Sequence, residues 1–201
     1  MKKRVATIKR KTRETDITVT LAVDGDGKAK IDTGIGMLDH LLELFAFHGL
    51  FDLRICAKGD LKVDIHHTNE DVGLVLGEAF KKALSEKKGI RRFGSAAVPM
   101  EEVVANVSVD ISGRGYYILK TSKGLASPKT QDGYSFADAE HLFDAFAKHL
   151  GANVNIMVEP ISPDLHTTLE PIFKALGLAL DQATQIDPRR KGVPSTKGVI
   201  D

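Results

Sequence analysis

The chain has 201 residues, enough for one large domain or two small ones whose core needs no disulfides. It is 42% hydrophobic and 27% charged, and 28 Lys and Arg balance 27 Asp and Glu, which excludes highly charged disordered chains and strongly basic nucleic-acid binders. We therefore expect any anion-binding site to be confined to a small cluster of residues rather than spread over a basic surface.

Strands and helices are predicted in chain order from the spacing of apolar residues. Alternation with a period of two predicts strands over residues 6–8, 17–23, 28–32, 53–57, 61–65, 103–111, 116–119 and 154–158. Helical spacing predicts helices over residues 36–47, 68–85, 137–148 and 168–185. Strands outnumber helices and short loops join neighbouring strands. The predicted class is therefore α+β, with mainly antiparallel sheets and helices on one face, rather than a doubly wound parallel sheet.

The single cysteine, Cys56, can form neither an internal disulfide nor a cysteine-based metal site, which fits a reducing compartment. It lies in the apolar run 53–57, and we expect it to be buried. No stretch reaches the roughly 18 consecutive apolar residues of a membrane span, and residues 1–10 lack the apolar core of a signal peptide. These features predict a cytoplasmic protein that binds neither membranes nor nucleic acid.

The sequence contains an internal repeat. Three histidines and one glutamate recur 100 or 101 positions later, as the pairs His40 and His141, His48 and His149, His66 and His166, and Glu70 and Glu170. We therefore divide the chain into a first α+β repeat at residues 1–90, a second at residues 91–187 and a C-terminal tail at residues 188–201.

The recurring residues have the spacing of metal ligands. In each repeat a histidine precedes a glutamate by four residues, so both side chains project from one face of a helical turn. Such a pair can chelate a divalent ion, and its nitrogen donor favours Mn, Fe, Zn, Ni or Co over Mg or Ca. Further donors are needed, and His40 and His141 on the preceding helices are the candidates. The alternative is a pair of surface ion pairs, which the duplication disfavours.

The C-terminal segment at residues 187–198 combines cations, hydroxyls and glycines. Its cations and hydroxyls are Arg189, Arg190, Lys191, Lys197, Ser195 and Thr196. Such a loop can bind phosphate through its charges and free backbone N–H groups. A solvated basic tail is the alternative interpretation.

Specific motifs run from one end of the chain to the other. They are Arg13-Glu14-Thr15, Asp32 to His40, Gly59-Asp60, His66 to Asp71, Arg92-Phe93-Gly94, Asp110 to Arg114, Glu140-His141, Phe173-Lys174-Ala175, Asp187 to Arg190 and Pro194 to Val199. With these motifs the chain resembles the imidazoleglycerol-phosphate dehydratase family of histidine biosynthesis. The resemblance implies two α+β repeats with the helices packed between two four-stranded sheets. It also implies a homo-oligomeric shell of twenty-four subunits with active sites between subunits.

The resemblance further implies two manganese ions per subunit, with ligands exchanged between the repeats. One ion would take His40, His67, His166 and Glu170, and the other His66, Glu70, His141 and the residue at position 167. The implied phosphate contacts are Arg92, Arg114, Lys174, Ser195 and Lys197, with Glu14 near the glycerol part of the substrate.

The implied reaction is the loss of water from imidazoleglycerol phosphate to give imidazole-acetol phosphate, a hydro-lyase reaction. The proton that leaves carbon has no carbonyl beside it, so its electrons need another sink. The imidazole ring can serve if two cations stabilise it as a metal-bound imidazolate. We predict Glu170 as the proton-transfer group, with Glu14 as the second choice.

The chain departs from the family pattern at four positions. Thr167 stands in place of a metal-binding histidine, Ile65 and Glu101 each replace an aspartate, and Gly115 replaces a proline. Loss of an outer partner such as that at position 65 can cost about 10–100-fold in metal affinity or activity. We expect an active dehydratase with one weakened manganese site. The alternatives are a degenerate, non-catalytic relative that keeps the shell and a metal-binding or storage assembly.

Overall fold

The computed structural model describes residues 4–121 and 128–200, whose two halves have the same order of elements. The first half contains β1 (Val5–Lys11), β2 (Thr15–Ala22), β3 (Ala29–Asp32), α1 (Gly36–His48), β4 (Asp52–Gly59) and α2 (His66–Leu84). The second contains β5 (Phe93–Met100), β6 (Val103–Asp110), β7 (Tyr116–Thr121), α3 (Phe136–Leu150), β8 (Asn153–Glu159) and α4 (Leu165–Thr184). This order confirms the predicted duplication.

Each half forms one four-stranded sheet. The strand orders are β1-β2-β4-β3 and β5-β6-β8-β7, and only the last pair of each sheet is parallel. The apolar residues that alternate along the predicted strands are the buried ones. In β2, for example, Ile17, Val19 and Leu21 face the core, while the residues between them do not. The mainly antiparallel α+β fold is therefore confirmed.

The four helices lie between the two sheets and pack across the repeats. The helix α2 covers β1 and β2, and α4 covers β5 and β6, while α1 contacts α4 and α2 contacts α3. Two glycines one repeat apart allow close approaches between helices. A Cβ at Gly77 would lie 2.6 Å from the Phe146 carbonyl oxygen, and one at Gly177 would lie 2.5 Å from that of Phe45. The backbones of α1 and α4, and those of α2 and α3, therefore pack closely against each other.

The strand predictions differ from the structure at two places. Residues 61–65 form turns rather than a strand: the Val63 N–H donates to the Asp60 carbonyl at 2.7 Å, and Val63 is 75% exposed. The strand β5 was not predicted, because Gly94 and Pro99 interrupt a segment of mostly small residues that does not show the usual strand composition.

The expectation for Cys56 is wrong, since this residue is exposed. Its neighbours Ile55 and Ala57 occupy the inward positions of β4, so Cys56 lies on the opposite face of the sheet. No helix within residues 4–121 and 128–200 is both long and apolar enough to cross a membrane.

Candidate active site

The contact between α1 and α4 forms the first cluster of candidate ligands. His40 Nε2 lies 3.0 Å from Glu170 Oε1, and the same carboxylate oxygen contacts His166 Nε2. The two imidazole rings have centroids 4.9 Å apart. The structure thus brings together three of the four residues predicted for one ion, and they come from both repeats.

Glu170 is held in its ionised form. Burial of the carboxyl group opposes the charge, but hydrogen bonds from Lys174, His40 and His166 outweigh it and lower the pKa of Glu170 to about 2. The Lys174 Nζ donates to Oε2 at 2.5 Å. Lys174, predicted as a phosphate contact, therefore serves here as a partner of Glu170.

The contact between α2 and α3 forms the second cluster. The rings of His66 and His141 have centroids 4.6 Å apart, and one ligand atom from each lies within 4.8 Å of a carboxylate oxygen of Asp138. Glu70 Oε2 lies 3.1 Å from His66 Nε2, as its position on the next turn predicts. Asp138 is the one member of this group that was not predicted. Its spacing of three residues before His141 on a helix is the signal that could have found it.

His67 lies away from the first cluster in the single chain. Its Nδ1 is 3.1 Å from Asp60 Oδ2, and the hydrogen bond to that carboxylate, aided by the charge of Glu14, raises the pKa of His67. Glu14 lies at the turn between β1 and β2. It lines an open cavity of about 340 Å³ whose other walls are Arg10, Thr12, His66, His67, Glu70 and Asp71.

The donors of both clusters fit a divalent transition-metal ion. Each offers two imidazole nitrogens and one carboxylate oxygen, with the three atoms within 4.8 Å of one another. A mixed nitrogen and oxygen set of this kind suits Mn, Fe, Zn or Co better than Mg or Ca. Thr167, where the family pattern has a histidine, is buried in the first turn of α4, and its N–H donates to the capping Asp164 Oδ1 at 2.8 Å.

A second polar cavity, of about 200 Å³, lies where the C-terminal tail folds back against the end of β6. Its lining includes Arg92, Ser112, Arg114, Ser195, Thr196 and Lys197. The Arg92 guanidinium donates to both Asp110 oxygens, at 2.6 and 3.0 Å, and to the Pro194 carbonyl at 3.0 Å, so it holds the tail in place. Four of the five predicted phosphate contacts thus line one cavity with the charge and hydroxyl groups that suit phosphate.

The sequence and the fold match known proteins over nearly the whole chain. The family model for imidazoleglycerol-phosphate dehydratase matches residues 33–180. The protein of that name from Methanocella arvoryzae is 55% identical over 197 residues, which covers 98% of this chain and 100% of the relative. The one from Geobacter metallireducens is 50% identical over 198 residues, covering 98% and 99%.

Two solved structures agree with this result. The crystal structure of IGPD from Pyrococcus furiosus in complex with (S)-C348 superposes with a TM-score of 0.80 at 35% identity and covers 96% of this chain and 99% of that one. Imidazoleglycerol-phosphate dehydratase from Staphylococcus aureus gives 0.77 at 31% identity, covering 91% and 99%. By sequence and by structure, this chain belongs to the imidazoleglycerol-phosphate dehydratase family.

Proposed function

We propose that the chain is a hydro-lyase of histidine biosynthesis that converts imidazoleglycerol phosphate to imidazole-acetol phosphate. The observation that carries this proposal is the 55% identity, over 98% of the chain, to a protein of that name. The geometry supports it, because two histidine–carboxylate clusters and a cavity lined by cations and hydroxyl groups occur in the same chain.

We propose manganese as the bound ion, two per subunit. The first would be held by His40, His166 and Glu170, with His67 of a neighbouring subunit as the fourth ligand. The second would be held by His66, Glu70 and His141. When bound, the ions would supply positive charge that stabilises negative charge on the imidazole ring.

The protein side chains have separate tasks in this proposal. Arg114, Ser195 and Lys197 bind the substrate phosphate, and this contact orients the glycerol chain. Glu170 is ionised at neutral pH, which a ligand requires, but its low pKa makes it a weak base. Glu14 is exposed and lines the cavity next to His66, so it is the second group that could move the proton at carbon.

The active unit in this proposal is a homo-oligomer, a shell of twenty-four subunits with sites between them. His67 supports it, since this residue pairs with Asp60 rather than with the first cluster of its own chain. Exposed apolar side chains on the sheets, including Phe93 and Tyr116, offer surface for such contacts. The mass of the particle in solution, measured by light scattering, tests this part, and a stable monomer with full activity would contradict it.

The test of the function is a direct assay of water loss from imidazoleglycerol phosphate. Protein dialysed against a chelator should be inactive, Mn²⁺ should restore turnover, and Mg²⁺ should restore much less because it prefers oxygen ligands. Absence of product in the Mn²⁺-loaded protein would sink the proposal. Turnover that survives removal of metal would sink its metal-dependent part.

A further inference from the structure

The second cluster contains a carboxylate that has no counterpart in the first. Asp138 precedes His141 by three residues on α3. The residue that precedes His40 by three on α1 is Met37, which is apolar and buried. The repeats are therefore asymmetric at this position. The extra carboxylate belongs to the cluster for which the family pattern expects a ligand from position 167.

The side chain of Asp138 is held in a fixed orientation. It belongs to the capping box that starts α3, in which Ser135 N–H and Ser135 Oγ donate to Asp138 Oδ2 at 2.9 and 2.6 Å. The Asp138 N–H donates in return to Ser135 Oγ at 3.2 Å. Both hydrogen bonds from Ser135 are accepted by Oδ2. They therefore orient the carboxylate and leave Oδ1 outside the capping box.

A buried hydrogen bond fixes the same residue against α2. Asn69, which is fully buried, lies three residues after His66, and its Nδ2 donates to the Asp138 carbonyl at 2.7 Å. The buried Tyr134 hydroxyl donates to Asn69 Oδ1 at 2.9 Å and completes the chain of bonds. The turn that carries His66 and the turn that carries Asp138 are thus joined through the protein interior.

We propose that Asp138 is a protein ligand of the second metal ion. It would replace the histidine ligand that the family pattern has at position 167, where this chain has Thr167. The ligand atoms of His66, Asp138 and His141 lie within 4.8 Å of one another, as do those of His40, His166 and Glu170. Glu70 lies outside this group of three but contacts His66 at 3.1 Å, and if it turns toward the ion, Asp138 brings the number of protein ligands back to four. A hard carboxylate oxygen is a ligand that Mn²⁺ accepts readily. This inference rests on the proposed function, because it requires an ion in the second cluster.

The test is a titration of the metal-free protein with Mn²⁺, with the free ion measured by electron paramagnetic resonance. Wild type should bind two ions per subunit. The substitution Asp138→Asn should weaken one of them by at least the roughly 10–100-fold that loss of an outer partner costs, and leave the other unchanged. Adding Thr167→His to this variant should restore the lost affinity, which also shows that the variant is folded.

The matched control is Ser135→Ala, which removes the hydroxyl of the capping box but keeps the Asp138 carboxylate. It should affect Mn²⁺ binding much less than Asp138→Asn does, although both substitutions weaken the start of α3. Equal losses in the two variants would show that Asp138 acts only as a helix cap and would overturn the inference. Two tight sites in Asp138→Asn would overturn it as well. A wild type that binds no Mn²⁺ would instead refute the metal-dependent part of the proposed function.

Discussion

Glu170 Oε1 lies 3.0 Å from His40 Nε2, and this contact joins the last helix of the second repeat to the first helix of the first. The second cluster has the same crossed origin, since His66 comes from α2 and His141 from α3. Neither repeat by itself contains a complete cluster. The crossed packing of the helices, rather than either repeat alone, therefore creates the candidate metal sites.

Replacing Glu170 with Gln should abolish the first metal site, because the amide lacks the negative charge that His40, His166 and Lys174 now surround. We expect kcat to fall roughly 100-fold or more, because loss of even an outer partner of a metal site costs about 10–100-fold and Glu170 is itself a proposed ligand. Steady-state kinetics and Mn²⁺ stoichiometry measure the two effects.

The matched control is Glu78→Gln. Glu78 also faces a histidine, His149, at 3.6 Å, but on the protein surface and away from both clusters. This variant should keep its activity and both ions. A Glu170→Gln enzyme that retains wild-type turnover would remove Glu170 from the site.

Replacing Arg114 with Ala should weaken phosphate binding without changing the chemical step, because Ser195 and Lys197 in the same cavity would still hold the phosphate and orient the substrate. Hydrogen bonds to charged groups contribute about 1.5–3 kcal/mol, so KM should rise about 10–100-fold while kcat changes little. The control is Arg190→Ala, in the separate basic cavity formed by Asp187, Arg189, Arg190, Lys191, Gly192 and Val193. An equal rise in KM for both variants would place the phosphate elsewhere or reduce its recognition to general charge.

The four helices and the paired histidines could be predicted from the sequence because apolar spacing and the internal repeat both report on them. Asp138 could not be found by comparing the repeats, since its counterpart is Met37. The position of His67 depends on the turns at residues 61–65. Leu61, Val63 and Ile65 alternate with polar residues there as in a strand, so the sequence pattern predicts a strand instead of these turns. The gathering of Arg92 and Arg114 around the tail depends on contacts between segments far apart in sequence, which no local pattern encodes.

Replacing Gly77 with Ala should destabilise the contact between α2 and α3. The new Cβ would lie 2.6 Å from the Phe146 carbonyl oxygen, so the helices must separate, at a cost of about 1–3 kcal/mol in the free energy of unfolding. Urea unfolding measures this change. Gly192→Ala is the control, since a Cβ there meets nothing within 4 Å, and its midpoint should stay that of wild type.

The pair formed by Arg4 and Asp24 should make a small, pH-dependent contribution to stability. The hydrogen bond from Arg4 holds the pKa of Asp24 below its usual 3.8, against the opposing effect of partial burial. A carboxyl group with a lowered pKa stabilises the fold above its unfolded pKa and loses that contribution as the pH falls through the folded value.

The variant Asp24→Asn should therefore lower the free energy of unfolding at pH 7 by less than about 1 kcal/mol, because the carboxylate is largely exposed. The difference from wild type should shrink as the pH drops below 3.8. Thermal unfolding across this range checks the prediction. A difference that grows in acid would contradict it.

The pairing of α1 with α4 and of α2 with α3 has a consequence for a half-length ancestor of this chain. A protein made of one repeat could assemble a cluster only by meeting a second copy of itself, so its ion binding would have depended on its own concentration. Covalent fusion makes that encounter intramolecular and independent of dilution. It also allows the two halves to diverge in sequence, as the difference between Met37 and Asp138 at equivalent positions illustrates.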